Sequence, residues 1–342
     1  MKIGLFDYHL PKELIAQEPI SPRDHSRLLI LGKESKIEDK HFYDLPDLLD
    51  QDDVLVLNET KVFPARLLGK KKTSGQVEVF LTKKIDQQTW ECMIGGRGLK
   101  ISDQIYFEEN LIGEILADLD GKTKQVRFNK ADKEFLSVVE KIGHTPLPPY
   151  IKTEDSQQIK KDYQTVFAKN KGSVAAPTAG LHFTTELLDG IKAKGVEILN
   201  VTLHVGLGTF APVEVDDITK HKIHSEWASI DQATAEKLNK LKQQGKNIIA
   251  VGTTSARTLE AFATDGNLDF GDKWVDVYIY PSYKFKFVDQ LITNFHLPKS
   301  SLLFMVSALA GRENILAAYN HAVAEKYRFF SFGDAMLIKK SK

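Results

Sequence analysis

GSVAAPTAGLHF, residues 172–183, marks the point where this 342-residue chain changes texture. Upstream of it lie short β-rich runs, and downstream helical and strand patterns alternate. The run from Ala175 to Gly180 has too little bulk to fill a core, so it lines space. Gly180 permits the positive φ that such a turn is expected to use. Thr184, Thr185 and Glu186 then form a helix start with an acidic first turn, which places His182 near a positive helix end, where an anionic group is stabilised.

Upstream, six runs are separated by polar turns such as Ser74–Gly75, Gly95–Gly96 and Asp120–Gly121: VFPARLLG, QVEVFLTK, TWECMIGG, QIYFE, IGEILADL and KQVRFN. This spacing predicts a small antiparallel β-barrel or sandwich, of which the barrel is taken. An amphipathic helix is expected over 131–142, followed by the stiff exit Pro146–Leu147–Pro148–Pro149. Downstream, helices are predicted near 185–194, 233–244, from Thr253 onward, 302–310 and 312–327. Strands are predicted near 197–205, 248–252, 275–280 and 290–295. Val54–Leu55–Val56–Leu57–Asn58 reads as a strand buried on both faces. The fold class is therefore α/β, a mixed α+β core discontinuous over residues 1–58 and 151–342, with the barrel inserted at 59–150.

Composition excludes disorder, with 42% hydrophobic and 27% charged residues. The 46 basic and 46 acidic residues cancel, which argues against indiscriminate nucleic-acid binding but leaves local patches: Lys70–Lys71–Lys72, Lys83–Lys84, Lys284 with Lys286, and Lys339–Lys340. One cysteine, Cys92, forms no internal disulfide and fits a reducing cytoplasmic setting. MKIGLFDYHLPKEL lacks the apolar region of a signal peptide, and no apolar run is long enough to span a membrane.

Ligands of α/β sheets sit at strand ends. Four such loops carry polar or special residues here. They are the Thr178–Gly180–His182 turn; His204 with Gly206, Gly208 and Thr209; Thr253–Thr254–Ser255 with Arg257; and Asn294 with His296. Arg23, Asp24 and Arg27, before the strand LLIL, suit a clamp for a polar substrate, against the alternative of a surface ion-pair cluster. His221, His224 and Glu226 in HKIHSE raise a zinc hypothesis, but their spacing is not HExxH and no third histidine is tied to them, so no metal is expected. Phosphate-loop, GxGxxG, GxSxG and CxxC motifs are absent.

Beyond these readings, FDYHLPKELIAQEPISPRDHSRLL, GSVAAPTAGLHFT, VTLHVGLGTFAPV, HKIHSE, IAVGTTSARTLE, LITNFHLPKSSLLFMVSALAG and YRFFSFGDAML resemble, in order, the motifs of the S-adenosylmethionine:tRNA ribosyltransferase-isomerase family. The resemblance spans nearly the whole chain. One departure is Ser282 in IYPSYKF, where glycine is expected. The resemblance implies transfer of the ribosyl part of S-adenosylmethionine to 7-aminomethyl-7-deazaguanine at the tRNA wobble position, giving epoxyqueuosine, adenine and methionine. It implies tRNAs with GUN-type anticodons as partners, a monomer, and no cofactor beyond S-adenosylmethionine, which is consumed. That chemistry needs a base of near-neutral pKa to take a ribose C5′ proton, for which His182, His204 and His296 are the candidates. Arg257 or Asp334 is expected to assist adenine loss, and the Thr253–Thr254–Ser255 helix start to bind the methionine carboxylate. Phe183, Phe210 and Phe295 are candidates to face the sulfonium. A non-catalytic RNA-binding protein and a metal-dependent hydrolase built on His221 and His224 are the competing readings.

Overall fold

The computed structural model describes residues 1–32, 35–148, 150–152, 156–206 and 212–339. In chain order, β1 (Arg27–Leu31), β2 (Ile37–His41), the short α1 (Leu45–Leu48) and β3 (Asp53–Asn58) come first, followed by β4 (Thr60–Val62). The next six strands are β5 (Arg66–Lys71), β6 (Gln76–Lys84), β7 (Thr89–Gly95), β8 (Gln104–Tyr106), β9 (Ile112–Asp118) and β10 (Thr123–Phe128). After α2 (Asp132–Ile142), α3 (Gln157–Asp162) and β11 (Asn170–Ser173), the chain alternates: α4 (Thr185–Ala193), β12 (Glu197–Leu203), β13 (Glu226–Ile230), α5 (Gln232–Gln243), β14 (Asn247–Val251) and α6 (Gly252–Phe262). It ends with β15 (Ala263–Thr264), β16 (Asn267–Leu268), β17 (Gly271–Val275), β18 (Gln290–Asn294), α7 (Ser301–Ala310), α8 (Arg312–Ala324) and β19 (Ala335–Lys339).

A nine-stranded mixed sheet organises the core, in the order β17-β13-β12-β3-β14-β18-β19-β1-β2. Its centre is four parallel strands, β12, β3, β14 and β18, with Leu55 opposite both Ile198 and Ile249. All six residues of β3 are buried, as expected of a strand covered on both faces. Alternation along the strands sends Val54, Val56, Ile248, Ala250 and Leu291 into one apolar cluster with residues of α5, α6, α7 and α8. Leu55, Leu57, Ile249 and Ile292 enter a second cluster with Leu45 of α1 and Leu187 and Ile191 of α4. β19 runs antiparallel to β18, and β1 parallel to β19. The carboxyl ends of the four central strands therefore share one edge with the amino ends of β1 and β19.

The six runs read as a barrel do close, in the order β10-β7-β6-β5-β8-β9. Val77, Val79, Leu81, Cys92 and Val126 belong to its interior cluster, with Phe135, Val138 and Val139 of α2 packed against them. β4, which leads out to the barrel, and β11, which returns from it, lie side by side in parallel, with Thr60 opposite Asn170.

Three expectations change. No strand forms over 276–280, because Val275 opposes Glu226, the first residue of β13, and the ladder ends there for want of a partner. The last helix stops at Ala324, where Lys326 turns to φ +56 and breaks the helical path. Gly180 is not among the positive-φ residues; a Cβ there would lie 2.7 Å from the Phe167 ring and 2.8 Å from Thr165, so crowding rather than backbone sign calls for glycine. Among the described residues no single helix is long and apolar enough to cross a membrane.

Candidate active site

Ser26, Thr60, His182, His204, the start of α6, Asn294 and Asp334 all lie at the shared sheet edge. The quoted stretch crosses it. Val174 and Val205 pair through a Val174 N–H to Val205 carbonyl bond of 3.1 Å, and Ser173 Oγ accepts from the Val205 N–H at 2.9 Å. The chain then turns through a 3-10 helix, Thr178–His182, of which Ala179, Gly180, Leu181 and His182 are buried.

His182 is held on three sides. Its Nδ1 is 2.7 Å from Ser26 Oγ, and its Nε2 is 3.2 Å from Asn294 Nδ2, which also donates to the Phe330 carbonyl at 3.0 Å. With the amide nitrogen as donor, Nε2 accepts and the ring proton sits on Nδ1. The Phe42 ring stacks on the imidazole at 5.0 Å. Burial, reinforced by the Arg328 and Arg23 charges, lowers the His182 pKa to about 3, so the ring is neutral at pH 7.

His204 is only half-buried. Thr60 Oγ1 lies 2.8 Å from its Nδ1, and the ring stacks on Trp227 at 4.8 Å. Desolvation lowers its pKa to about 4. The Nε2 edge of the ring packs against Gly172, whose φ is +153 and where a Cβ would sit 2.4 Å from His204 Nε2, so only glycine allows this approach. No hydrogen bond to Nε2 occurs among the described residues.

α6 starts at Gly252 without a side-chain cap, and nearly all of its residues are buried. Ser255 Oγ turns back to the Val251 carbonyl at 2.7 Å, whereas Thr254 Oγ1 is buried without a partner among the described residues. Gly252 lies against Ala179 of the 3-10 turn, so the uncapped amide end of α6 faces that stretch. One turn in, Arg257 forms a buried ion pair with Glu226, whose other oxygen accepts from the Gly206 N–H at 2.8 Å. Arg257 Nε and Nη2 have no hydrogen-bond partner among the described residues.

Other expected residues are placed differently. His296 is buried, its Nε2 bonded to Thr293 Oγ1 at 3.1 Å, and alternation along β18 puts Thr293 and Asn294 on opposite faces, so His296 does not join His182. Burial lowers its pKa to about 3. Arg23, Asp24 and Arg27 form no joint clamp. Arg23 donates to the carbonyls of Gln164 and Lys161, at 2.6 and 2.9 Å; Asp24 accepts from Thr184 Oγ1 at 3.1 Å; and the Arg27 guanidinium lies 3.7 Å over the Tyr327 ring. Both Asp334 oxygens accept backbone N–H groups, from Arg27 and Arg328, at 2.8 Å each, which pins the chain there, while burial raises its pKa above the usual carboxylate value. Phe183 and Phe295 are fully buried core residues. Gly208, Thr209 and Phe210 lie outside the described residues. Glu226 is committed to Arg257, away from the exposed His224, and no group of three metal-ligating side chains occurs among the described residues.

The sequence profile of the family described as Queuosine biosynthesis protein matches residues 3–338. A protein of Sulfurihydrogenibium sp. (strain YO3AOP1), named S-adenosylmethionine:tRNA ribosyltransferase-isomerase, is 54% identical over 341 residues, covering 99% of this chain and 100% of its own length. One of the same name from Clostridioides difficile (strain 630) is 50% identical over 344 residues, covering 99% and 100%. The chain belongs to this ribosyltransferase-isomerase family. The crystal structure of S-adenosylmethionine tRNA ribosyltransferase from Thermotoga maritima is similar too, with 35% identity, a TM-score of 0.57, and coverage of 98% of this chain and 99% of that one.

Against the family's expected glycine, Ser282 takes φ +93. It is the third residue of a turn with Pro281 second, closed by the Tyr283 N–H to the Tyr280 carbonyl at 2.9 Å, which is the type II geometry that favours glycine. Sequence reasoning missed Ser26, Phe42, Thr60 and Trp227 as the residues that fix the histidines, although Ser26 stands directly between the Arg23–Asp24 pair and the apolar strand. It also missed a cavity of about 460 Å³ where β4 leaves for the barrel, lined by Arg23, Lys61, Lys160, Lys161 and Lys171 with Glu140 as the acidic member.

Proposed function

We propose that this chain transfers and isomerises the ribosyl moiety of S-adenosylmethionine onto 7-aminomethyl-7-deazaguanine at the tRNA wobble position, releasing adenine and methionine, and that His204 is the base. One observation supports that assignment above the others: His204 is the half-buried, neutral histidine of the edge whose Nε2 makes no hydrogen bond among the described residues. A sulfonium acidifies the adjacent C5′ hydrogens, and an uncharged imidazole at the sheet edge can accept one of them; the same desolvation that keeps His204 neutral makes it a weaker base than a free imidazole, so the expected near-neutral pKa is not met. His182, with both ring nitrogens bonded, serves to orient the site through Asn294.

In this reading the uncapped start of α6, with the unpartnered Thr254 hydroxyl, receives the methionine carboxylate. Arg257 supplies positive charge beside the Gly206 loop during adenine loss. The tRNAs are those with GUN-type anticodons, the protein acts as a monomer, and the reaction needs no cofactor beyond the consumed S-adenosylmethionine; activity that survives chelation is the expected outcome.

The test is mass spectrometry of an anticodon stem-loop carrying the aminomethyl-deazaguanine, incubated with protein and S-adenosylmethionine. A ribosyl-derived mass gain with adenine and methionine released together is expected. A methyl-sized gain, or tight binding with no gain, overturns the reading. In single turnover, His204→Gln is expected to lose roughly a hundredfold or more in rate, the usual scale for a general base, and Gly172→Ala to lose rate by displacing the ring. Turnover by His204→Gln at the wild-type rate removes His204 from the role.

A further inference from the structure

Phe330 is the only aromatic residue with left-handed backbone among the described residues; its φ is +75, and the others with positive φ, glycine apart, are serines, asparagine, acids and lysines. A bulky side chain in that region is strained and persists only where its surroundings over-determine it. They do so here. Phe330 N–H donates to the Phe295 carbonyl at 3.1 Å, and its own carbonyl accepts from Asn294 Nδ2 and the Gly333 N–H, each at 3.0 Å. Its neighbours Phe329 and Phe332 are buried in two different apolar clusters, and Asp334 ties down the Arg328 amide.

A glycine would satisfy this backbone without strain, so the loop geometry alone gives no reason for a phenylalanine. The ring is only partly buried, and it stands edge-on to the half-buried Tyr150 at 4.2 Å. The amide that grips its carbonyl is the one that contacts His182 Nε2. A strained, partly exposed aromatic is thus fixed one amide away from His182, on a segment that meets Tyr150 where the chain leaves the barrel.

We infer that Phe330 is a substrate-positioning residue whose ring, with Tyr150, forms one wall for a flat heterocyclic base. This rests on the reading that the His182–Asn294 edge is the reaction site. Both substrates in that reading carry such a base, the adenine of S-adenosylmethionine and the deazaguanine of the tRNA, and base–aromatic stacking is tolerant of either.

The experiment compares Phe330→Gly, Phe330→Leu and Phe330→Tyr in the full chain by thermal unfolding and by steady-state kinetics, with each substrate varied in turn. Phe330→Gly is expected to keep its melting temperature, since relief of strain offsets lost packing. Its KM for one substrate should rise roughly five- to hundredfold, the range of a lost base stack. Phe330→Leu should share the rise, and Phe330→Tyr should restore the wild-type value. A rise in KM for S-adenosylmethionine identifies adenine as the stacked base, and a rise for tRNA identifies a base of the anticodon loop. Unchanged KM values in Phe330→Gly and Phe330→Leu, or a melting temperature that falls with KM unmoved, overturn the inference. His204→Gln run alongside separates the two readings: its activity reports on the site, whichever way Phe330 behaves.

Discussion

Ser282 is the clearest single-residue strain outside the edge, and it is reversible. Its φ of +93 is natural for glycine and strained for any other residue, while glycine loses more entropy on folding. The balance predicts that Ser282→Gly raises stability by about 0.5–1 kcal/mol, read as a shift in urea midpoint with unchanged m-value. A lower midpoint means that the serine hydroxyl makes a contact worth more than the strain. His182 gives a residue-scale prediction of opposite character. Its pKa in the fold is about 3 against an ordinary 6.5, so the unfolded chain takes up a proton that the folded chain refuses. The stability due to the neutral ring is complete above pH 6.5 and is lost, at up to about 1.4 kcal/mol per pH unit, as pH falls from 6.5 toward 3. His182→Gln should therefore show a shallower loss of stability between pH 6.5 and 4 than the wild type. Parallel profiles for the two proteins mean that His182 titrates normally.

At the scale of elements, α6 joins the sheet edge to β13 through Arg257 and Glu226, each only 3% exposed. Removing one partner of such a pair strands a buried charge, so Arg257→Met is expected to lose roughly 3–5 kcal/mol, measured by chemical unfolding. The double variant Arg257→Met/Glu226→Leu should recover most of that loss, because neither charge is then left unpaired. If the recovered protein also regains full turnover, Arg257 serves the fold alone. What the sequence disclosed follows the same division. Periodicity exposed β3, α6 and the six barrel strands, because their apolar residues recur at the spacing that each element buries. It missed β2, whose IEDKH is a polar edge strand, and it set a strand at 275–280 where the paired strand runs over Gly271–Val275, because pairing partners are not written in local pattern. Strand ends were legible as a place for chemistry, but the side of the sheet was not. His296 and Asn294 are two residues apart, yet His296 bonds to Thr293 on one face of β18 while Asn294 meets His182 on the other. Likewise, the Arg23–Asp24–Arg27 cluster looked like a clamp until tertiary contacts gave each residue its own partner.

Over the whole molecule, positive and negative residues balance at 46 each, so attraction for a polyanion has to be local. The cavity where β4 leaves for the barrel and α3 returns provides such a place, with five basic residues against Glu140. Not all five are equally available. Lys171 pairs with Glu140 at 2.7 Å, Lys160 donates to the Gly143 carbonyl at 3.2 Å, and Arg23 is occupied by carbonyls. Lys61 and Lys161 are the lining cations whose side chains have neither an ion pair nor a hydrogen bond among the described residues. If the backbone of the tRNA substrate crosses this cavity, each phosphate contact displaces counterions and steepens the dependence of affinity on salt. Substituting Lys61 and Lys161 together by alanine should weaken tRNA binding and reduce the slope of log Kd against log salt by about 1–2, while binding of S-adenosylmethionine stays unchanged. A uniform loss of affinity with the wild-type slope assigns these lysines to the fold. An unchanged affinity moves the phosphate track elsewhere, with the barrel clusters Lys70–Lys71–Lys72 and Lys83–Lys84 next to be substituted.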